Sequence, residues 1–354
     1  MSFDAPLGHG ERLAGLLQSA RDDRLAHALL FTGPAGIGKF MTMRRLAIGL
    51  LCERGPGDPC LACGSCKRVL SGNHPDLFEV DAPAAGQDQI TVHFIAHRPP
   101  EKKKPGDYKG PAIEDFLVLR AREGGYRVVL VREAERMNES AQNAFLKMLE
   151  EPTARTIIAL ESSRPGTLLP TVRSRVVTIE LGPLSLADTR AVLHEQGVPA
   201  AEAEELARWS GGAPGSALAL RGHGAPAMRA ILSEVLAGTL DAGSAASRVW
   251  DVDGRFQGKT PAAGARLRVR VFLDLGLAVL GDLLRASAGV PDASLAHGDL
   301  ARSLPPDSGA PLERCMAQWL AARQDVPLNM SPEALLDRAL LALGALGAAQ
   351  VAAR

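Results

Sequence analysis

Apolar positions along this chain show two textures, short unbroken runs in the first half and helical spacing in the second. Residues 27–32 (HALLFT) form an apolar run closed by Gly33-Pro34, the pattern of a buried strand. From Gly38 to Cys52 the residues Phe40, Met43, Leu46, Ala47, Leu50 and Leu51 recur at helical spacing. Strand, glycine-rich loop and helix together predict the start of a parallel α/β unit. Residues 126–131 (YRVVLV) predict a second strand. A helix is predicted from about Glu139 to Glu151, with Asn138 or Ser140 as cap and Pro152 as stop. The runs 156–160 (TIIAL) and 176–181 (VVTIEL) complete the predicted parallel sheet.

After Gly182-Pro183 the pattern changes. Residues 184–222 read as small helices around Gly211-Gly212 and Pro214-Gly215, and beyond about 223 the chain is alanine- and leucine-rich and helical. Glycine- and proline-rich breaks fall at 252–264 and 286–312, and Ser331-Pro332 opens the last helix with a cap and a first-turn proline. A length of 354 residues exceeds one compact core and fits two or three domains. No uncharged apolar run reaches the length of a membrane span, and MSFDAPLGHGERL lacks the layout of a secretory signal, so a cytoplasmic protein is expected. Net charge is zero, so any nucleic-acid contact must be a local patch. The polar, proline-rich stretch Arg98–Gly110 predicts a solvated surface loop in preference to a DNA-binding one, despite its lysines.

Gly33, Gly36, Gly38 and Lys39 lie in GPAGIGK, which has the two-glycine-and-lysine spacing of a phosphate-binding loop between strand and helix. Such a loop next needs a Ser or Thr hydroxyl for Mg²⁺. Phe40 stands there, and Thr42 comes two positions too late. After the second strand an ATPase of this kind needs an acidic pair, the first member holding Mg²⁺. The pair here is Arg132-Glu133, and a guanidinium repels the ion. No Mg²⁺ site and no self-hydrolysis are expected. The surviving glycines and Lys39 leave ATP binding without turnover open.

Cys52, Cys60, Cys63 and Cys66 lie within fifteen residues, spaced C-x7-C-x2-C-x2-C. In a reducing compartment that crowding predicts a structural Zn²⁺ held by four thiolates. An iron–sulfur cluster is the rival, but its run continues with a fourth cysteine where this chain has Leu70. Cys315 stands alone and reads as a small core residue. His74 in NHPD reads as a turn residue beside the module ahead of an alternative ligand. Trp209, Trp250 and Trp319 read as core or interface anchors.

GPAGIGK, the cysteine insert after its helix, SGNHPDLFEV (71–80), MNESAQNAFLKMLEEP (137–152) and LLPTVRSR (168–175) occur in one order. Together they resemble the AAA+ clamp-loader family of bacterial DNA polymerase III, closely over 10–182 and moderately to about 222. The resemblance implies an AAA+ α/β core (1–182) carrying the zinc module (52–66), a small helical lid (183–222) and an all-α collar domain (223–354). The family has a hydrolysing γ/τ branch and a non-hydrolysing δ′ branch. Phe40, Arg132 and the lack of a lid arginine near Gly215 select the δ′ branch. The chain is also shorter than expected of τ.

The resemblance further implies that Arg175, in Ser174-Arg175, is an arginine finger for the neighbouring subunit's ATP, although Val176 replaces the usual cysteine. Arg173 is the alternative finger, and in the plain reading both arginines are surface charges or pair with Glu161 or Glu180. Lys147 could face DNA or be an ordinary helix-surface lysine. Implied partners are the γ/τ and δ subunits, the sliding clamp and primer-template DNA. A hydrolysing γ/τ-like subunit and a free-standing zinc-dependent DNA-binding protein are the competing readings.

Overall fold

The computed structural model describes residues 7–99, 105–119, 121–123, 125–258, 260–303, 308–328 and 330–352. The chain divides into two compact units: Met1–Gln196 with Gly212–Gly215, and Gly197–Gly211 with Ser216–Arg354. In chain order the first unit carries α1 (Gly10–Arg21), β1 (Ala28–Thr32), α2 (Lys39–Leu51), α3 (Gly64–Leu70) and β2 (Leu77–Val80). There follow α4 (Val92–Ile95), α5 (Ile113–Val118), β3 (Arg127–Val131), α6 (Glu139–Glu150), β4 (Thr156–Ser162), α7 (Pro170–Arg173), β5 (Val177–Glu180) and α8 (Leu186–Glu195).

The five strands form one parallel sheet in the order β2-β3-β4-β1-β5. Three of the four apolar runs are the central strands β1, β3 and β4, each buried along its whole length, as a sheet covered on both faces requires. The run at 176–181 gives β5, an edge strand that is mostly exposed. Side chains alternate between faces: Leu29, Phe31, Val128 and Leu130 pack with α1 and α2, while Leu30, Val129 and Ile158 pack with α4, α5 and α6. Because every strand is parallel, the loops after β1, β3 and β4 leave the same edge of the sheet, where ligands of open α/β sheets bind. That edge holds Lys39, Arg132 and Ser163.

Two predictions are refined. The sequence pattern did not single out β2, an edge strand in which only Val80 is fully buried and Glu79 is exposed. The break at 252–264 is shorter, because a 27-residue helix already starts at Pro261, capped by the Thr260 side chain accepting from the Ala263 amide. Lys102, Lys103 and Lys104 of the 98–110 stretch lie outside the described residues. Its later part is tied down, with Tyr108 stacked on Phe94 at 3.7 Å between ring centres.

The second unit is helical: α9 (Ala200–Trp209), α10 (Pro214–Gly222, its first two residues in the first unit), α11 (Ala225–Leu236), α12 (Ala242–Asp251), α13 (Pro261–Ser287), α14 (Gly309–Asp325) and α15 (Pro332–Ala352). Its core centres on Phe272, Trp319, Leu336 and Leu340, with Cys315 among them. Trp319 is fully buried and its indole N–H donates to the Ala339 carbonyl at 2.8 Å, so its one polar atom is satisfied. Trp209 and Trp250 pack against the same core. Among the described residues no helix is long and apolar enough to cross a membrane.

Candidate nucleotide, arginine-finger and metal sites

The glycine loop takes the shape its sequence requires. Gly33, Gly36 and Gly38 have φ of +137°, +78° and +94°, and a Cβ on Gly33 would lie 2.2 Å from the Leu181 carbonyl oxygen. Lys39 is buried and its ammonium donates to the Gly33 and Pro34 carbonyls (3.1 and 2.8 Å) and to Ser163 Oγ (2.8 Å). Burial pulls its pKa down, while Glu161, Glu135 and Glu133 oppose the fall. Two further loop carbonyls are engaged. Gly36 O accepts from the Gly215 amide at 2.8 Å, and the buried His9 ring lies with Nε2 2.9 Å from Ile37 O. The position where a lid arginine is expected therefore lies against the loop as bare backbone.

Phe40 and Arg132, the residues at the positions where Mg²⁺ ligands are expected from the sequence, touch each other. The Arg132 guanidinium lies over the Phe40 ring at 4.5 Å, a cation–π geometry. It is also paired with Asp81 at 2.5 Å and sits 3.9 Å from Glu161. Glu161 is buried, which raises its pKa against the pull of Lys39 and Arg132. Glu133 adopts φ +46° and its carboxylate pairs with Arg136. Thr42 is buried with its hydroxyl donating to Gly38 O within the helix (3.0 Å), so it does not substitute for the missing hydroxyl. Sequence spacing located Lys39, Phe40 and Arg132. It gave no sign of Asp81, Ser163 or His9, whose roles arise only where the fold brings distant segments together.

Arg175 follows α7, which is fixed on α6. Asn138 caps α6 through the Ala141 amide at 2.9 Å, and Gln142 Oε1 accepts from the Leu169 amide at 2.7 Å. Val172 packs into the core with Phe145 and Leu149. The Arg175 guanidinium donates to Thr171 O at 3.0 Å and pairs with Glu150 at 2.6 Å, while 37% of its side chain stays exposed. Its partner is thus neither Glu161 nor Glu180. Lys147 is 77% exposed, with its ammonium 3.7 Å from Glu114.

The four cysteine sulfurs of residues 52, 60, 63 and 66 lie within 4.8 Å of one another. A tetrahedral zinc with Zn–S of about 2.3 Å needs sulfurs roughly 3.8 Å apart. The 3.7 Å from Cys52 to Cys60 and 4.0 Å from Cys60 to Cys66 fit that shell. Backbone amides of Ala62 and Cys63 lower the Cys60 pKa, whereas burial raises that of Cys66. Ser65 ties the module together: its amide donates to Glu53 and its hydroxyl to Leu51 O, joining the segments that carry Cys66 and Cys52. His74 is not among the clustered ligands. It is buried, with Nε2 2.8 Å from Ser65 Oγ, and Nδ1 accepts from the Asp76 amide.

The family described as "DNA polymerase III, delta subunit" matches residues 8–185. The DNA polymerase III subunit delta′ of Pseudomonas aeruginosa is 37% identical over 215 residues, covering 59% of this chain and 60% of the relative. That of Bacillus subtilis is 32% identical over 183 residues, covering 52% and 50%. A gamma/tau subunit of Mycobacterium tuberculosis is 30% identical over 256 residues, 68% of this chain and 38% of the relative. The matches thus span between half and three-fifths of the two delta′ relatives. A gamma subunit-related protein of Thermotoga maritima superposes with TM-score 0.51 at 16% identity, over 94% of this chain and 99% of that one, a likeness of fold.

Proposed function

Because this chain belongs to the DNA polymerase III δ′ family of clamp-loader subunits, we propose that it hydrolyses no ATP itself and completes the ATP site of a neighbouring γ/τ-type subunit with Arg175. With γ/τ and δ partners in the cytoplasm, the assembled complex would open the sliding clamp and place it on primer-template DNA. The proposed parts are a core at 1–182, a lid at 183–222 and a collar at 223–354.

One observation carries the non-hydrolysing reading: the Arg132 guanidinium stacks on Phe40 where two Mg²⁺ ligands are needed. A fixed cation there repels a divalent ion, and without the ion the charge on a transferring phosphoryl group goes unneutralised. Gly33, Gly36, Gly38 and Lys39 keep the groups that would hold nucleotide phosphates, without turnover. Arg175 has a permanent charge and a planar fork suited to phosphate oxygens, and its partial exposure suits action in trans. Cys52, Cys60, Cys63 and Cys66 would hold a structural Zn²⁺. With all four ligands from protein no position stays open for water, so the metal would stabilise the fold.

The test is hydrolysis at the one ATP site that this subunit borders, in a reconstituted loader whose other sites carry inactivated P-loop lysines. Arg175→Ala is expected to slow that site on the order of 10³-fold while the complex still assembles. Unchanged hydrolysis would contradict the finger. The likeness to γ/τ relatives favours a second reading, a hydrolysing subunit, which expects turnover by the isolated chain.

A further inference from the structure

Glu150 stands in an unfavourable place for a carboxylate. It is the last residue of α6, followed by a second acid, Glu151, where the helix dipole and the free carbonyls disfavour negative charge. Helix stability does not explain it. What the position does achieve is a pairing 2.6 Å from the Arg175 guanidinium, reached across from the same helix that fixes the Arg175 backbone. Gln142 of α6 binds the Leu169 amide and Val172 packs on Phe145 and Leu149, so α7 is held at one end by α6. The guanidinium is held at the other end by the last turn of α6, with Thr171 O and Ser174 Oγ as further acceptors (3.0 and 3.3 Å). Arg173, by contrast, makes no side-chain hydrogen bond or ion pair among the described residues.

We propose that Glu150 is a positioning residue that pre-orients the Arg175 guanidinium for the phosphates of a neighbouring subunit's nucleotide. The inference rests on the reading of Arg175 as a finger supplied in trans. A free arginine side chain loses much rotamer freedom when it docks on a phosphate, and a restraint already present in the free subunit removes part of that loss. The pair is half-exposed at both partners, 37% and 49%, so an incoming phosphate can share or take over the guanidinium without uncovering a buried charge. Its effect is accordingly modest, since exposed ion pairs change equilibria by roughly two- to five-fold.

The experiment uses the reconstituted loader with a single active ATP site bordered by this subunit. Glu150→Ala is expected to lower kcat at that site by about two- to five-fold with KM for ATP unchanged. Glu150→Gln keeps an oxygen that accepts from the guanidinium and should recover most of the loss. In the Arg175→Ala background, Glu150→Ala should change nothing further, because the two act as one unit. Wild-type kcat or a raised kcat for Glu150→Ala overturns the proposal, and so does an equal loss in the Arg175→Ala background. If Arg175→Ala itself leaves hydrolysis unchanged, the finger reading fails and takes this one with it; a large loss for Arg175→Ala with none for Glu150→Ala removes only the role of Glu150.

Discussion

Phe40 and Arg132, proposed to stand in place of two oxygen ligands, also touch each other. An arginine at the end of a buried strand needs partners for its charge, and the ring of Phe40, Asp81 and Glu161 supply them. A single reversal therefore leaves the site incomplete: Arg132→Asp still faces a phenyl ring, and Phe40→Thr still faces a guanidinium. The double variant Phe40→Thr/Arg132→Asp restores both oxygen types beside Lys39. It is expected to gain at least tenfold in affinity for a fluorescent ATP analogue when Mg²⁺ is added, on the order of 1.4 kcal/mol, with little gain in either single variant. Equal affinity with and without Mg²⁺ in the double variant would show that the ion is excluded by something other than these two residues.

At the scale of elements, the zinc module and the core of the helical unit make separate predictions. Metal analysis of the purified protein is expected to give one zinc per chain with no visible absorption, and Cys66→Ser to lose it. Visible charge-transfer bands would instead indicate an iron–sulfur cluster. In the second unit His297 is buried, accepts from Arg229 Nε at Nδ1 (3.1 Å) and stacks near Trp209, with its amide donating to Asp282. Burial, aided by Arg229, lowers its pKa to about 4 against the pull of Asp282 and Asp299. The unfolded chain takes up this proton near pH 6.5 and the folded one only near 4. The stabilisation is thus complete above about pH 6.5 and disappears as pH falls to 4, by roughly 3 kcal/mol. All three tryptophans lie in this unit, so urea unfolding followed by their fluorescence at pH 7 and 4.5 reads it alone. His297→Gln should shrink the pH dependence, and an unchanged dependence would assign it to other groups.

Elements differed in how plainly the sequence announced them. β1, β3 and β4 are buried on both faces and so read as continuous apolar runs. β2 escaped notice because Glu79 interrupts it and its outer side has no neighbouring strand. α13 was hidden by Gly258, Pro261 and Gly264, residues that usually break helices. Here Pro261 occupies the first turn, and Gly264 lets the Phe256 carbonyl come within 2.4 Å of where a Cβ would stand. Local spacing alone singled out Lys39 and the four cysteines, and the structure gathers the four sulfurs. Glu150, Asp81 and Ser163 were not singled out, because nothing local distinguishes an acid or a serine whose partner lies far along the chain.

For the whole molecule, the parallel sheet puts the glycine loop, with Phe40 and Arg132 beside it, at one edge, and α6 and α7 present an arginine that is partly exposed. In the role proposed above, such a subunit would make hydrolysis depend on assembly, since the charge completing a site would come from a chain that cannot use it alone. Zero net charge agrees with a role defined by local contacts in place of a general affinity for DNA. ATP turnover by the purified chain, alone and after addition of a γ/τ-type partner with primed DNA, tests this most directly. The account predicts no turnover above background for the chain alone and faster turnover once it joins the partner, whereas robust turnover by the isolated chain would contradict it.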